Sequence, residues 1–234
     1  MKVEPNNSLN ESDGMNDRQL QEQLATLNIC LADGVVAQLV AYRQELLRQN
    51  ERMNLTRHLD MESFVTRDVL DSYQLAQCLR PHETVLDVGT GGGVPGIILE
   101  MLRPDLKISL AESVGKKARA VSEMVEVLGR PITVYAARAE EVVAEQAFNV
   151  LVARAVGPLS RVLKWFSPHW SHIDRLLLIK GPKWVAERGD ARHLGLLHGL
   201  NLRKLTAYET PGHFGESVVL GVSTDLAQLQ ASDA

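Results

Sequence analysis

A glycine-rich segment contains the residues whose types and spacing point most directly to chemistry. Residues 85–96 read Val-Leu-Asp-Val-Gly-Thr-Gly-Gly-Gly-Val-Pro-Gly, so an apolar run leads into a turn. Glycines adopt positive φ and let the backbone approach a ligand closely. The helix expected after the turn, with Pro95 near its start, offers free N–H groups. We expect the ligand to contact the following residues of the turn: Gly89, Thr90, Gly91, Gly93, Val94 and Pro95.

A carboxylate at the end of the next apolar run fits a ligand that contains a nucleoside. Glu112 directly follows residues 107–111 and lies 19 positions after Gly93. At the end of a second strand, a carboxylate can accept both hydroxyls of a ribose. Residues 91–96 also satisfy the dinucleotide pattern G-x-G-x-x-G. The turn is therefore compatible with a dinucleotide or with S-adenosylmethionine.

The residues around the turn favour S-adenosylmethionine. Asp87 places a carboxylate two residues before Gly89, where it would repel a pyrophosphate. The same carboxylate can help to hold the cationic amino-acid end of S-adenosylmethionine, directly or through the turn. No tyrosine is followed four positions later by lysine, so a common hydride-transfer dyad is missing. These features predict a methyltransferase.

The sequence after the fourth apolar run narrows the choice of methyl acceptor. Residues 149–153 lead into Arg154-Ala155-Val156, not into the Asn/Asp-Pro-Pro-Tyr box of enzymes that methylate exocyclic amines. Cys30 and Cys78 both precede the glycine-rich segment, so neither lies where cytosine-C5 enzymes carry their nucleophile. The remaining acceptors include guanine N7, whose in-plane lone pair bears no proton. Its methylation needs alignment and desolvation more than proton transfer.

Basic residues follow three of the predicted strands. Arg138, Arg154 and Lys180 come directly after the third, fourth and fifth apolar runs, and Lys183 follows shortly afterwards. Open parallel sheets bind ligands at this carboxyl edge. An arginine stays protonated and an exposed lysine titrates near ~10, so none of them suits a general base. We expect Arg154 to orient the acceptor or the donor's carboxylate beside the methyl group, and Lys180 and Lys183 to hold phosphates.

Short apolar runs alternate with helical patterns after Pro81, which predicts βαβ units and a parallel sheet covered on both faces. The predicted strands are residues 84–88, 107–111, 132–136, 149–153 and 176–179. Two further runs, residues 202–208 and 217–222, are joined by Pro211-Gly212 and predict an antiparallel hairpin. The fold class is thus α/β with a mostly parallel sheet.

The first part of the chain has a different character. Residues 1–17 are polar and lack apolar periodicity, which predicts disorder. Leucines at helical spacing then predict a first helix, a break at Gly34 and a longer helix up to about Met53. Asp60 can cap a third helix. The predicted division is a disordered tail over residues 1–17, a helical lobe over 18–80, a methyltransferase domain over 81–225 and a flexible C-terminus over 226–234.

The composition excludes several classes of protein. The chain has 234 residues, of which 45% are hydrophobic and 23% charged, as in a globular protein with one main domain. No apolar run is long enough to span a membrane, and the first residues lack the apolar core of a signal peptide. We therefore expect a cytoplasmic protein without a membrane partner. The histidine pairs have no convincing third ligand, so no metal is expected.

The net charge of −4 conceals a basic region. Residues 154–204 contain ten Lys or Arg against three Asp or Glu, and they include all three tryptophans. A local basic surface with aromatic residues can hold a phosphate backbone, although a solvated helix face over a core is the simpler interpretation of charge alone. Lys116, Lys117 and Arg119, in contrast, are expected to form a solvated helix face.

Several motifs occur in the order found in one family, the small-subunit ribosomal RNA guanine-N7 methyltransferases. The chain resembles this family over about residues 40–222. The motifs are Asn54-Leu55-Thr56, Leu70-Asp71-Ser72, residues 87–91 with 94–96, Ser113-Val114-Gly115-Lys116-Lys117, Arg138-Ala139-Glu140-Glu141, Arg154-Ala155 and Lys180-Gly181.

The resemblance implies a class I, Rossmann-like methyltransferase domain after a helical lobe, with S-adenosylmethionine as donor. The acceptor it implies is a guanine of 16S ribosomal RNA, free or in a precursor of the small subunit. We also expect a monomer, and no DNA as a partner. By matching positions, the resemblance places Gly89 and Val94 on the methionine side of the donor, Glu112 at the ribose, Ala139 and Glu140 at the adenine, and Arg154 at the mouth where the methyl group is transferred. Together with the residues chosen above from the sequence itself, the predicted donor-binding set is Asp87, Gly89, Thr90, Gly91, Gly93, Val94, Pro95, Glu112, Arg138, Ala139, Glu140 and Arg154. The RNA-facing residues are Asn54, Arg67, Lys180 and Lys183.

The chain departs from the family pattern at four positions: Gln49, Met53, Asp68 and Ser217. Aromatic or basic groups are lost there, and this can weaken RNA contacts. Two alternatives thus stay open beside the rRNA enzyme. One is a methyltransferase of the same fold that acts on a protein or a small molecule, and the other is a donor-binding paralogue with impaired catalysis.

Overall fold

A seven-stranded sheet forms the centre of the molecule in the computed structural model, which describes residues 7–212 and 214–230. The strand order is β3-β2-β1-β4-β5-β7-β6. The first five strands of this order are parallel, and β7 lies antiparallel to both β5 and β6. The strands are β1 (Thr84–Val88), β2 (Lys107–Ala111), β3 (Thr133–Tyr135), β4 (Phe148–Arg154), β5 (Ile173–Lys180), β6 (Asn201–Glu209) and β7 (Glu216–Ser223).

These bounds confirm the predicted alternation of strands and helices. The predicted bounds of β1 and β2 match, whereas β3 is two residues shorter and β4 and β5 are longer than expected. The closing hairpin also forms, but its second strand inserts between β5 and β6. The described helices are α1 (Asn7–Thr26), α2 (Asp33–Asn50), α3 (Met61–Ser63), α4 (Leu70–Ala76), α5 (Gly96–Leu102), α6 (Gly115–Val127), α7 (Ala139–Glu145), α8 (Leu159–Phe166) and α9 (Trp184–His193).

The strand register brings the ends of the parallel strands to one edge. Val88 of β1 pairs with Ala111 of β2, and Arg154 of β4 pairs with Ile179 of β5. The segments that follow these residues therefore emerge together. This edge is where an open parallel sheet binds its ligand.

The tail predicted to be disordered extends to residue 17, whereas the described helix α1 already includes residues 7–17. Residues 1–6 lie outside the described part. Leu20 and Leu24 of the same helix are buried, and a helix anchored in this way extends at little cost because each added residue gains a hydrogen bond. The break expected at Gly34 instead follows Thr26, where Asn28 adopts a φ of +55°, and Gly34 lies in the first turn of α2.

The rest of the lobe and the C-terminus also differ in detail from the prediction. Asp60 caps α3 as predicted, since its Oδ1 accepts a hydrogen bond from the Ser63 amide at 2.6 Å. Helix α3 then continues through a π-helical segment, Phe64–Val69, into α4. Leu226–Leu229 form a turn of 3-10 helix with Leu229 buried, so this part of the expected flexible C-terminus is ordered, and residues 231–234 lie outside the described part.

Apolar clusters cover both faces of the sheet. Leu20 of α1 and Phe64 of the lobe lie in the same cluster as Val150 of β4. The next residue, Leu151, belongs to the cluster on the opposite face with Phe166 of α8, because successive strand residues point to opposite faces. The helical lobe thus shares its core with one face of the sheet. Among the described residues, no helix has the length and apolar character needed to cross a membrane.

Tyr42 connects the lobe to the glycine-rich turn. Its side chain is fully buried in α2, and its hydroxyl donates a hydrogen bond to the carbonyl oxygen of Gly92 at 2.9 Å. This contact joins residues 50 positions apart and fixes the lobe against the turn.

We predict that Tyr42→Phe lowers the free energy of unfolding by about 1 to 3 kcal/mol, because the buried Gly92 carbonyl loses its partner. Denaturant titration measures this change. Tyr73→Phe, which removes a hydroxyl elsewhere in the lobe, is the control and should cost less. Equal losses in the two variants would contradict the assigned contact.

Candidate active site

The glycine-rich turn presents its backbone to open space above the sheet. The amides of Gly89 and Thr90 both donate to the last carbonyl oxygen of β2, at 2.9 and 3.1 Å. Gly91 has a φ of +60°, and a Cβ built there would meet no atom within 4 Å. A Cβ on Gly93, in contrast, would overlap Ile97 of α5. Gly91 therefore faces free volume, whereas Gly93 is required by packing under the turn.

Asp87 supports the turn from below. Its side chain is fully buried, and Oδ2 accepts hydrogen bonds from the Thr90 hydroxyl at 2.5 Å and from the Gly96 amide at 2.9 Å. Burial raises the pKa of Asp87 to about 6, although these two hydrogen bonds oppose the shift. Asp87 was expected to hold the amino-acid end of the donor either directly or through the turn. Its hydrogen bonds to Thr90 and Gly96 support the second way.

Glu112 joins β2 to the same turn. One oxygen of its carboxylate accepts from the Gly91 amide at 3.1 Å, and the other accepts from the Val114 amide at 2.8 Å. Each carboxylate oxygen has a second lone pair, so the group can still accept a hydroxyl from a ligand. Sequence reasoning predicted the ligand contact but not the two hydrogen bonds that orient the carboxylate.

Two cavities lie on either side of the turn. The first, which we call the turn cavity, has a volume of about 570 Å³ and is lined by Leu46, Asn54, Leu55, Thr56, Arg57, Gly89, Thr90, Gly91, Gly92, Val94, Lys117, Arg154 and Ala155. The second, the edge cavity, has about 320 Å³ and is lined by Val88, Gly89, Ala111, Ser113, Ala137, Arg138, Ala139, Glu140, Val156 and Trp165. Gly89 borders both cavities, so an elongated ligand can extend from one to the other.

Arg154 closes the turn cavity on its far side. Its Nη2 donates to Oδ1 of Asp68 at 2.7 Å, and its Nη1 lies 3.3 Å from Oδ2 of Asp71 and 3.1 Å from the Arg67 carbonyl oxygen. Burial alone would lower the pKa of Arg154, but the two carboxylates raise it above its ordinary value. Arg154 is therefore a permanent cation, held by the helical lobe.

The two carboxylates that hold Arg154 have further partners. Oδ1 of Asp68 also lies 2.9 Å from Nδ1 of His58, while the Tyr208 hydroxyl of β6 donates to Oδ1 of Asp71 at 2.7 Å. Asp68 thus contacts both a histidine of the lobe and the arginine that ends β4. The network links the lobe, β4 and the closing hairpin.

A third cavity, which we call the mouth cavity, lies beyond Arg154. It has a volume of about 250 Å³ and is lined by Arg67, Asp71, Arg154, Ala155, Gly157, Ile179, Lys180, Gly181, Glu187 and Ser217. Arg154 and Ala155 line both this cavity and the turn cavity. The two spaces therefore meet at the end of β4.

Lys180 is already bound within the protein. Its Nζ donates to Oε2 of Glu187 at 2.8 Å and to the Gly157 carbonyl oxygen at 2.5 Å, with 10% of its side chain exposed. The phosphate contact predicted for Lys180 stays a prediction, and in this structure the ammonium is directed to these internal acceptors. Lys183 is exposed at the start of α9 and remains accessible.

The structure brings most of the predicted donor-binding residues together around the turn and edge cavities. Asp87, Gly93, Pro95 and Glu112 do not line either cavity, and the first two act beneath the turn. Among the predicted RNA-facing residues, Asn54 lines the turn cavity and Arg67 the mouth cavity. Lys117 was expected on a solvated face, but it lines the turn cavity.

Sequence reasoning missed Glu187 and Tyr208. Tyr208 contacts Asp71, 137 positions away, so no local signal could have found it. Glu187 lies only seven positions after its partner Lys180, and this spacing is a local signal. Within the described ranges, no group of three or more His, Cys, Asp or Glu side chains is arranged to hold a metal ion.

The order of strands, the glycine-rich turn and the carboxylate after β2 define a class I methyltransferase. Solved structures agree at the level of the fold. The chain superposes on TrmK of M. capricolum in complex with S-adenosyl-homocysteine with a TM-score of 0.53 at 13% identity, over 66% of this chain and 67% of that one.

Sequence comparison identifies the family. Residues 35–211 match the family model described as rRNA small subunit methyltransferase G. The chain is 51% identical over 194 residues to a ribosomal RNA small subunit methyltransferase G of Rhodopirellula baltica. The match covers 83% of this chain and 84% of the relative. A relative with the same name from Roseiflexus is 37% identical, over 67% of this chain and 70% of its own. The chain therefore belongs to the rRNA small subunit methyltransferase G family, and the resemblance inferred from its motifs is confirmed.

S-adenosylmethionine is the methyl donor of this class, and the residues present fit it. Because Gly91 has no Cβ, the space above the turn is open to a ligand. The edge cavity offers apolar walls from Ala139, Val156 and Trp165 beside the carboxylate of Glu140. Apolar walls with a few polar groups are typical of sites for nucleosides. The predicted cofactor is confirmed.

We predict that Asp87 makes the protein less stable as the pH rises from about 4 to about 6. Its pKa is raised to about 6 from 3.8, so in this interval the folded protein binds a proton that the unfolded chain has released. The two-unit difference corresponds to roughly 3 kcal/mol. Denaturant titrations of the wild type and of Asp87→Asn at pH 4.5 to 7.5 measure this loss of stability. As the pH rises, the free energy of unfolding of the wild type should fall relative to that of the variant.

Asp105→Asn is the matched control for this titration. The Arg103 guanidinium lowers the pKa of Asp105 to about 2, so the stability difference between this variant and the wild type should be constant over the same pH range. A constant difference for Asp87→Asn as well would contradict the raised pKa.

Proposed function

We propose that this protein transfers a methyl group from S-adenosylmethionine to N7 of a guanine in 16S ribosomal RNA. The observation that carries the proposal is the junction at Arg154 and Ala155, where the turn cavity meets the mouth cavity. A donor bound along the turn and a base inserted at the mouth would meet at this junction. The family membership supports small-subunit rRNA as the substrate.

The donor is held by groups that each suit one part of it. We assign the adenine to the edge cavity beside Ala139 and Glu140, and the ribose hydroxyls to Glu112. The amino-acid end lies at the turn, near Gly91 and Arg154. A carboxylate of the donor would find the Arg154 guanidinium.

Guanine N7 requires no general base, and the junction supplies none. When bound, S-adenosylmethionine supplies a methyl group activated by its sulfonium centre. Arg154 stays protonated because two carboxylates raise its pKa, so it acts by position. The chain's own contribution is then alignment of the base and exclusion of water, and alignment alone can lower a barrier by several kcal/mol.

The carboxylates at the mouth match the charge that the base acquires. Methylation at N7 leaves a positive charge on the guanine ring. Asp71 and Glu187 both line the mouth cavity, and carboxylates fixed beside a developing positive charge stabilise the transition state. Their cationic partners, Arg154 and Lys180, hold them in place through ion pairs.

Helix α9 and its neighbour α8 offer a surface for the RNA backbone. Lys183 begins α9 close to the mouth, and Arg192 and Lys164 are exposed further along the two helices. Arg188 stacks on Trp184, with 5.2 Å between the guanidinium carbon and the ring centroid. Exposed cations bind phosphates without sequence preference, so we assign this surface to RNA positioning. We further propose that the protein is a monomer in the cytoplasm. Light scattering, which gives the molar mass in solution, tests the monomeric state.

The two alternatives predict different products in one assay. The protein is incubated with donor carrying a labelled methyl group and with 16S rRNA or small subunits from cells that lack the modification. Label at N7 of one guanine supports the proposal. Label on protein or on a small molecule favours another acceptor, and donor binding without transfer favours an impaired paralogue.

We predict that Gly91→Ala weakens binding of the donor roughly tenfold or more, because the added Cβ enters the volume beside the turn. Calorimetry with S-adenosylmethionine measures this. Gly129→Ala is a closely matched control, since Gly129 also has a φ of +60° with no atom within 4 Å of a built Cβ, and lines none of the three cavities. Both variants carry the same backbone strain, so equal donor affinities would refute the assignment.

We predict that Arg154→Lys lowers the single-turnover rate by about 100-fold and leaves RNA binding nearly unchanged. Lysine keeps the charge but cannot span Asp68 and Asp71, so the junction loses its geometry.

Lys183→Ala should instead weaken RNA binding and leave the methyl-transfer rate unchanged. It should keep the rate at saturating RNA and reduce the log-log salt dependence of RNA binding by about one unit. An unchanged rate in Arg154→Lys would remove Arg154 from the reaction.

A further inference from the structure

Glu187 of α9 brings to the mouth cavity a carboxylate with one oxygen engaged and the other available. Its Oε2 accepts hydrogen bonds from Nζ of Lys180 at 2.8 Å and from the Leu159 amide at 2.7 Å. Among the residues that the structure describes, no donor is bonded to Oε1. The side chain is 26% exposed. Glu187 is thus fixed by the end of β5 and the start of α8, while one oxygen can still accept from a ligand.

Asp71, the other carboxylate in the lining of the mouth cavity, is not available in the same way. Its Oδ1 accepts from the Tyr208 hydroxyl at 2.7 Å, and its Oδ2 lies 3.3 Å from Nη1 of Arg154. Only 2% of its side chain is exposed. Asp71 therefore serves to hold Arg154, and Glu187 is the carboxylate of this lining that a ligand can reach.

Arg67 adds hydrogen-bond donors to the same lining. Its Nε is buried without a hydrogen-bond partner, and within the described ranges its guanidinium forms no ion pair. The carbonyl oxygen of Arg67 accepts from Nη1 of Arg154 at 3.1 Å, so Arg67 lies beside the junction of the mouth and turn cavities. The mouth cavity thus offers an available carboxylate oxygen and an unpaired guanidinium.

The size of the mouth cavity suits a single base. Its volume of about 250 Å³ lies below the roughly 300–1,000 Å³ that is typical of sites for drug-sized ligands. Enzymes that modify a base turn it out of its stack into a narrow pocket and recognise it by hydrogen bonds to its Watson–Crick edge. The polar groups of the lining should therefore complement the edge of the base that enters.

Guanine is the base whose edge this lining complements. Its N1–H and N2 amino group are adjacent donors, which the two lone pairs of Oε1 of Glu187 can accept. Its O6, next to N1, accepts from a guanidinium. Adenine instead presents a lone pair at N1, which a carboxylate repels, and an amino group in place of O6. The lining therefore discriminates between the two purines.

We propose that Glu187 selects guanine as the methyl acceptor by accepting hydrogen bonds from N1–H and the N2 amino group, while Arg67 donates to O6. This inference rests on the proposed transfer to guanine N7. These contacts leave N7 free to face the junction at Arg154 and Ala155. The positive charge that forms at N7 spreads over the ring and makes N1–H a stronger donor, so the contact with Glu187 strengthens in the transition state.

The test compares guanosine with inosine, which lacks the N2 amino group but keeps N7, N1–H and O6. Full-length 16S rRNA is assembled by ligation with either nucleoside at the acceptor position that the labelled-methyl assay identifies. The measured quantity is kcat/KM for methyl transfer at saturating S-adenosylmethionine. We expect the wild type to prefer guanosine by about tenfold or more, because inosine lacks one hydrogen bond to a charged group.

Glu187→Gln should remove this preference. The amide keeps its oxygen on Lys180 and turns its NH₂ group to the base, where it meets two donors. We expect the guanosine-to-inosine ratio to fall to about two or less, as the charged acceptor is lost. If Glu187 acted through its charge alone, both substrates would react more slowly by the same factor. The ratio is measured within each variant, so it does not depend on the fraction of protein that is folded.

Glu187→Asp is a second variant, which keeps the charge but withdraws the carboxylate by one methylene group. It should lower the same ratio. Asp190→Asn is the matched control, because Asp190 is exposed on the same helix and lies outside the mouth cavity. It removes the same charge as Glu187→Gln and should keep the ratio of the wild type.

Two results would overturn the selection of guanine by Glu187. One is a wild type that methylates inosine as well as guanosine, and the other is an unchanged ratio in both Glu187 variants. Failure of the proposed function gives a different result, because the rRNA that carries guanosine then receives no label at N7. That result would refute the proposed function and this inference together.

Discussion

The contact between Arg154 and the two aspartates of the helical lobe is the interaction on which the candidate active site depends. A buried guanidinium is costly unless carboxylates compensate its charge. Asp68 and Asp71 come from the lobe, whereas Arg154 is the last residue of β4. The lobe is therefore attached where the cavities meet. The hydroxyl of Tyr208 holds Asp71 from the hairpin side, so three parts of the chain fix one side chain.

The distribution of carboxylates follows from where positive charge must be held. The donor brings a positive charge that the acceptor base carries afterwards. Asp87 and Glu112 lie beneath and beside the turn, and Asp71 and Glu187 line the mouth. Each is held by a hydroxyl, an amide or a cation, so little reorganisation is needed when the charge moves. This arrangement explains why a site for RNA contains so many carboxylates.

Local patterns predicted the elements that locate the site. The apolar run before the glycines gave the bounds of β1, and Glu112 was recognised from its position after β2, because both signals lie within a few residues. The roles of Lys180 and of Asp68 were not predictable in this way. Lys180 bonds to Glu187 and Gly157, and Asp68 to Arg154, 86 positions away. Such pairs depend on the tertiary fold, which a residue's type and spacing do not encode locally.

The two ends of β5 show how the same kind of ion pair leads to different surfaces. At one end Lys180 and its partner Glu187 both line the mouth cavity, so the pair adds no net charge to the place where the base would enter. At the other end Arg175 lines a cavity while its partner Glu83 lies outside the lining. The lining of this cavity therefore contains the cation of the pair without its carboxylate. The position of the partner, more than the number of pairs, therefore decides how much charge of one sign each lining carries.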